Sequence, residues 1–171
     1  MIRFFNVKDD YIHYLRGFEP KILFNKQEKR PYIGVVHTIN SIDYYVPLVS
    51  PKPKFAAMKN TKDFHKIAGG KYGAINFNKM IPVISEVLIE LDINNEPNVA
   101  YRHLLQNQFR EIISMKDTIR RKSENIYSLF TTIEKLYPHD IKTRDRCCDF
   151  LLLEQKMREY IADAFERDYT L

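Results

Sequence analysis

Two adjacent cysteines, Cys147 and Cys148, are the only thiols in the chain. Neighbours in sequence cannot staple distant segments, and two thiols fall short of the four ligands of a structural zinc site. No apolar run approaches the ~20 residues that span a bilayer. The opening stretch "MIRFFNVKDDYIHYL" meets charge too early for a secretory signal. These absences suit a cytosolic protein without structural disulfides. Catalytic signatures are missing as well: there is no Gly-rich phosphate loop, no His-Glu-x-x-His, no nucleophile elbow and no Cys-x-x-Cys. The five histidines, His13, His37, His65, His103 and His139, have no metal-like spacing. No metal and no cofactor is expected, and any catalysis would rest on Lys, Arg, Tyr, Ser, Thr or His.

What is present describes a folded chain. Its 171 residues are 44% hydrophobic, 13% aromatic and 29% charged, enough for one domain, residues 1–171, with a core of its own. Net charge is +5, but residues 1–80 carry +8 and residues 81–171 carry −3. A positive field confined to one half suits a polyanion, because each neutralised phosphate releases condensed counterions. A lysine-rich surface that only keeps the protein soluble accounts for the same charge.

The chain changes character near its middle. "RFFNV" reads as a short strand, and Asp9 or Asp10 can cap a helix carrying Tyr11, Ile12, Tyr14 and Leu15 that ends at Gly17. Residues 19–30, "EPKILFNKQEKR", look like an exposed basic loop. "PYIGVVHTI" and "IDYYVPLV" form a hairpin through Asn40-Ser41, and "DFHKIA" pairs with "GAINFNKMIPV" through Gly69 and Gly70. "SEVLIELDI" alternates Val87, Ile89 and Leu91 and reads as a strand. From Asn98 onward glycine vanishes, and apolar residues take helical spacing. The spacing predicts a helix or helix pair over 98–136 and a final helix capped by Asp149, with Phe150, Leu153, Met157, Tyr160 or Ile161, and Ala164 inward. The expected fold is α+β: a strongly bent antiparallel sheet or small barrel from residues 1–93 with one early helix, and packed helices from 98–171.

One strand end stands out. In "YVPLVSPKPKF" an apolar strand stops at Ser50, and prolines and lysines then alternate. Proline ends strands and lysine decorates loops, so the bland reading is strong. Yet a hydroxyl and a lysine held by rigid prolines are also suited to grip a phosphate. Cleavage of RNA by its own 2′-hydroxyl needs only such groups, because the substrate brings the nucleophile. The protein must align the chain, move protons and stabilise charge on phosphorus.

Further segments accompany this one in order: "YIHYL", "RPYIGVV", "YYVPLVSPK", "GAINFNKMIPV", "PNVAYRHLLQNQFREI" and "FLLLEQKMREY". Over roughly residues 2–161 the set resembles the ToxN/AbiQ family of type III toxin–antitoxin endoribonucleases. The resemblance implies a barrel-like fold related to the MazF/Kid toxins and a metal-independent endoribonuclease leaving 2′,3′-cyclic phosphate and 5′-hydroxyl ends. It also implies a tandem-repeat pseudoknot RNA antitoxin, which the toxin processes and which then inhibits it in a closed protein–RNA assembly. The implied setting is the cytoplasm of a bacterium, with growth arrest or abortive infection during phage attack.

Residue by residue, the family pattern "PLTSPK" falls on Ser50 and Lys52, while its threonine falls on Val49, which has no hydroxyl. The family's early tyrosine falls on Tyr11, and the cation before its "YIG" strand on Arg30, with Lys29 beside it. His65 adds an imidazole suited to proton transfer near neutral pH. Lys54, Lys59, Lys62, Lys66 and Lys71 are read as RNA-backbone contacts, and Tyr and Phe residues of the same half as stacking surfaces for unpaired bases. Each has a plain alternative: core packing for Tyr11, loop solvation for Arg30 and Lys29, bare surface for His65. A non-catalytic RNA-binding module fits the same basic sheet. A DNA-binding regulator fits less well, since the helical half is acidic and lacks a basic recognition helix.

Overall fold

The computed structural model describes residues 1–168. The chain opens with β1 (Arg3–Val7), α1 (Asp9–Arg16), β2 (Tyr32–Ile39) and β3 (Ile42–Val49). Asn40 and Ser41 join β2 to β3 with φ of 49° and 63°. A two-residue turn with both φ positive matches the twist of the flanking strands, so the Asn-Ser hairpin forms as expected. Four short strands follow: β4 (Phe64–Lys66), β5 (Ala74–Asn76), β6 (Ile81–Pro82) and β7 (Leu88–Glu90). Every pairing is antiparallel, in the order β4-β5-β3-β2-β1-β7, with β6 also pairing β3. β4 and β7 end the sheet without meeting. Of the two forms expected, an open sheet is adopted and not a closed barrel.

The helical half holds α2 (Val99–Ser114), α3 (Lys116–Thr131), α4 (Pro138–Arg146) and α5 (Phe150–Asp168). The Asn98 side chain accepts from the Tyr101 N–H at 2.9 Å and caps α2. Met115, outside helical φ/ψ, alone separates α2 from α3, so the long periodic stretch is a helix pair. α4 was not expected. Only Asp140 and Thr143 of its nine residues are buried, so it carries no apolar stripe to betray it. Asp149 caps α5 as expected, accepting from the Leu152 N–H at 3.1 Å. Phe150, Leu153 and Met157 face inward, whereas Ala164 is exposed. One apolar cluster joins the halves, taking Phe4, Tyr11, Tyr44 and Ile81 from the first and Ile112, Ile126 and Phe150 from the second. Within it, the Tyr44 and Tyr127 hydroxyls each donate to Glu154 Oε1 at 2.7 Å. Among the described residues no helix is long and apolar enough to cross a membrane.

Two local expectations are corrected. Lys8, not an aspartate, stands at the cap position of α1. Asp9 instead accepts from the Asn25 side chain at 2.6 Å and the Glu28 N–H at 3.2 Å, while Glu28 accepts from the Asp9 N–H at 2.9 Å. Residues 19–30 are accordingly no simple exposed loop: Glu19, Ile22, Asn25 and Arg30 are buried. "SEVLIELDI" yields only the three residues of β7, because Ser85–Val87 form a 3-10 turn.

An ion pair between half-exposed Arg146 and buried Asp63 ties α4 to the residue before β4. Arg146 donates to both carboxylate oxygens of Asp63, at 3.0 and 3.1 Å. Thr61 and Asn78 each add a donor at 3.0 Å. Burial pushes the Asp63 carboxyl upward, but the hydrogen bonds from Arg146 and Thr61 and the Arg146 charge outweigh it and hold the group below the usual range. A lowered native pKa stabilises the fold above the unfolded-state value of ~3.9, and that stability is lost as pH falls through the native pKa. Wild type should therefore melt above Asp63→Asn near neutral pH, and the gap should close below about pH 4, as thermal melts across pH would record.

Candidate active site

The end of β3 is clamped from two sides. Ser50 leaves the sheet into solvent, and Lys52, in extended conformation, is followed by a 3-10 turn over Pro53–Ala56. Phe55 on that turn is 3% exposed and packs with Val49, Phe64 and Ala74 in a small second cluster. Burial of one such ring contributes about 1.5–3 kcal/mol, which pins the loop back on the sheet. The turn between β4 and β5 closes the other side. A Cβ on Gly73 would lie 2.0 Å from the Val49 carbonyl oxygen, and one on Gly70 2.9 Å from Phe55 Cβ. Only glycine permits this approach. The result is a cleft of about 390 Å³ lined by Pro51, Lys52, Pro53, Ala56, Gly69, Gly70 and Lys71. The Ser50 hydroxyl and the Lys52 ammonium have no hydrogen bond or ion pair among the described residues.

Val49, where the family pattern has threonine, is 9% exposed and belongs to the cluster under Phe55. Position 49 thus has apolar neighbours in this chain.

A second group of cations approaches from the 19–30 segment. Arg30 is 8% exposed; its Nε donates to the Phe24 carbonyl at 2.7 Å and its Nη1 to the Leu48 carbonyl at 3.1 Å. Burial lowers its pKa, but a guanidinium starts so high that it stays charged. Lys26 is lowered by burial and then by the neighbouring charges of Arg30 and Lys52, so the three cations share one field. Tyr101, on the first turn of α2, also feels Arg30, although burial and Glu96 raise its pKa overall. Nothing in the sequence pointed to Lys26 or Tyr101, because tertiary packing alone brings them to this corner.

Other expected residues lie elsewhere. Tyr11 is fully buried, donates its hydroxyl to the Pro82 carbonyl at 2.8 Å and packs edge-on against Tyr160. Burial drives its pKa far above the ordinary phenol value. His65 sits opposite Ile75 on β4, outside the cleft lining. Burial and then Lys122 of α3 depress its pKa, which keeps the imidazole neutral at pH 7. Lys62 is paired with Asp140 of α4. Lys66 is half-buried, and Lys71 stands 5.2 Å over the Tyr72 ring. Lys29, Lys54 and Lys59 are exposed around the two loops. Among the described residues no three His, Cys, Asp or Glu side chains gather as metal ligands.

Comparison with known proteins gives this geometry its context. The family described as "Toxin ToxN, type III toxin-antitoxin system" matches residues 3–158. The chain belongs to the ToxN toxin family. A ToxN-family relative, Endoribonuclease ToxN of Bacillus thuringiensis subsp. kurstaki, is 34% identical over 163 residues, covering 92% of this chain and 84% of the relative. A solved structure described as selective toxin inhibition by a non-coding RNA pseudoknot in bacterial type III systems superposes with a TM-score of 0.83 at 33% identity, over 93% of this chain and 97% of that one. AbiQ, described as a lactococcal anti-phage endoribonuclease of a type III toxin–antitoxin system, superposes with a TM-score of 0.78 at 31% identity, over 95% and 99%. The ToxN fold thus extends through nearly the whole chain, including the strand end that carries Ser50 and Lys52.

Proposed function

We propose that this ToxN-family chain is an endoribonuclease toxin of a type III toxin–antitoxin system, acting in the bacterial cytoplasm by 2′-hydroxyl transesterification without a metal ion. The observation that carries the reading is the clamped strand end, where the unpartnered Ser50 hydroxyl stands two residues from the unpartnered Lys52 ammonium, which lines a basic cleft with Lys71. In the reaction the 2′-oxygen attacks phosphorus and the 5′-oxygen departs. One proton is lost from the 2′-hydroxyl and one gained by the 5′-oxygen, so no water is consumed and a 2′,3′-cyclic phosphate remains. Ser50 hydrogen-bonds a phosphate oxygen, and Lys52 stabilises the charge that builds on the phosphorane. Lys26, Arg30 and Lys71 add positive potential, and Arg30 braces the strand end through its carbonyl contacts. Lys29, Lys54 and Lys59 take RNA phosphates farther out, positioning the strand without reading its sequence.

Tyr11 is assigned to packing, since its hydroxyl is already spent on Pro82. His65 is assigned no proton transfer, since it lies on β4, with β5 between it and the strand that leads to Ser50 and Lys52. His65→Gln should therefore fall far short of the ~10²–10⁴-fold loss that removal of a general acid or base brings, as initial rates on RNA would show. The partner that restrains the toxin is a tandem-repeat pseudoknot RNA, processed by the toxin and held in a closed assembly. The basic first half and the RNA-inhibited relative support that reading.

The test is purified protein incubated with mixed-sequence RNA in EDTA, followed by end-group analysis. Fragments ending in 2′,3′-cyclic phosphate and 5′-hydroxyl are expected. RNA that is bound but left intact would instead make the chain a non-catalytic RNA-binding module. In cells, expression without the cognate RNA should arrest growth, and normal growth with soluble protein would count against toxicity.

A further inference from the structure

Beside the cationic strand end one large aromatic ring stands open. Phe24 is 72% exposed, although it lies in a segment whose neighbours Ile22 and Asn25 are buried. One face of its ring is covered by Arg16, whose guanidinium carbon lies 3.8 Å from the centroid. Arg16 is held in turn by donating Nη1 to the Ile22 carbonyl. The exposure of the ring leaves the other face to solvent.

Arg30 links Phe24 directly to the strand that leads into the cleft. Arg30 bonds the Phe24 carbonyl through Nε and the Leu48 carbonyl through Nη1. A guanidinium is planar and rigid, so these two bonds fix the spacing between Phe24 and a residue two positions before Ser50. The loop is otherwise expensive to build. Lys26, Gln27 and Glu28 all adopt positive φ, between 55° and 61°, which side chains other than glycine resist. Contacts from Asp9 to Asn25 and Glu28, and from Asn25 to the Val7 carbonyl at 2.7 Å, hold it there. Strained backbone that the surroundings over-determine collects at functional sites.

We infer that Phe24 is a stacking platform for an unpaired nucleobase adjoining the phosphate bound at Ser50 and Lys52. The inference rests on the RNA-cleaving reading of that cleft. An open aromatic face backed by the Arg16 guanidinium, on the segment that carries Lys26 and tied by Arg30 to the strand leading to Lys52, matches what a single-stranded nucleic acid offers: a π-surface between negative charges. Stacking on such a ring aligns the strand for in-line attack, and it discriminates among bases only by their stacking strength.

Phe24→Ala should leave the thermal midpoint unchanged, because the ring buries little. Its kcat/KM on single-stranded RNA should fall by about fivefold to a hundredfold, the range expected for loss of one base-aromatic stack. Phe24→Trp should restore cleavage. The decisive comparison scans a substrate with one abasic nucleotide near the cleavage site. At one position the abasic lesion should cost wild type a similar factor and cost Phe24→Ala nothing further. Wild-type rates in Phe24→Ala, or equal abasic penalties in both proteins at every position, would overturn the inference. If wild type cuts no RNA at all, the cleavage reading falls. The same comparison, made as Kd for uncleaved single-stranded RNA, then still decides whether the ring stacks a base.

Discussion

Lys52→Ala lowers the saturated rate of RNA cleavage by about 10²–10³-fold, the cost of removing one preorganised group that meets transition-state charge. The expectation follows from where the ammonium is and what it lacks. It sits between two prolines at a strand end pinned by Phe55, and no hydrogen bond or ion pair engages it among the described residues. The pinned backbone keeps the stem of Lys52 at the cleft, and an ammonium with no partner breaks no contact to meet charge that builds on phosphorus. The loss should fall mainly on kcat, because the interaction strengthens in the transition state. Ser50→Ala should lose less, since it removes one neutral hydrogen bond and leaves the charge. Lys52→Arg separates two roles: a guanidinium retains the charge but does not give up its proton. Substantial activity in Lys52→Arg assigns Lys52 to electrostatic stabilisation, and an activity as low as that of Lys52→Ala assigns it to proton donation. Single-turnover rates at saturating RNA measure all three variants, and wild-type rates in Lys52→Ala and Ser50→Ala would remove both residues from the mechanism.

Gly73→Ala should damage the fold and the cleft together. The added methyl would lie 2.0 Å from the Val49 carbonyl oxygen, and φ at this position is +97°. The clash is with backbone, so no rotamer change relieves it. Overpacking and the disfavoured φ together should cost about 2–4 kcal/mol. For a chain of this length each kcal/mol shifts the midpoint by roughly 2–4 °C, so thermal melts should resolve the loss easily. Cleavage should fall as well, because the displaced turn carries Lys71 on the far wall of the cleft. Gly69→Ala is the control. Its φ is +65°, but nothing lies within 4 Å of the added methyl, so only the left-handed strain of about 1–2 kcal/mol should appear. Equal behaviour of the two variants would refute the claim that close approach at Gly73 builds the site.

Much of the architecture was legible because its signals are local. Asn40-Ser41 marks a hairpin through the φ values its turn demands, and Asn98 and Asp149 mark helix starts through side chains that bond nearby N–H groups. The periodic apolar residues of α2, α3 and α5 mark the faces that pack on the sheet. α4 escaped notice because it is held by polar contacts, Asp140 with Lys62 and Arg146 with Asp63, which leave no period to read. The loop before β2 departs from its sequence pattern for a related reason: its polar and charged residues look solvated, yet Glu19, Asn25 and Arg30 are buried against partners distant in sequence.

For the site, the sequence by itself determined that a hydroxyl and a lysine follow a strand end between prolines, and that cations crowd the first half. Those facts rest on covalent order and composition, which folding does not alter. Only tertiary structure decided which candidates meet. It withdrew Tyr11 into the core, left His65 outside the cleft lining, tied Lys62 to α4, and brought Arg30, Lys26 and the open ring of Phe24 to the end of β3. Contacts between residues so far apart in the chain depend on how the sheet and helices close around one core, and no local pattern encodes that closure.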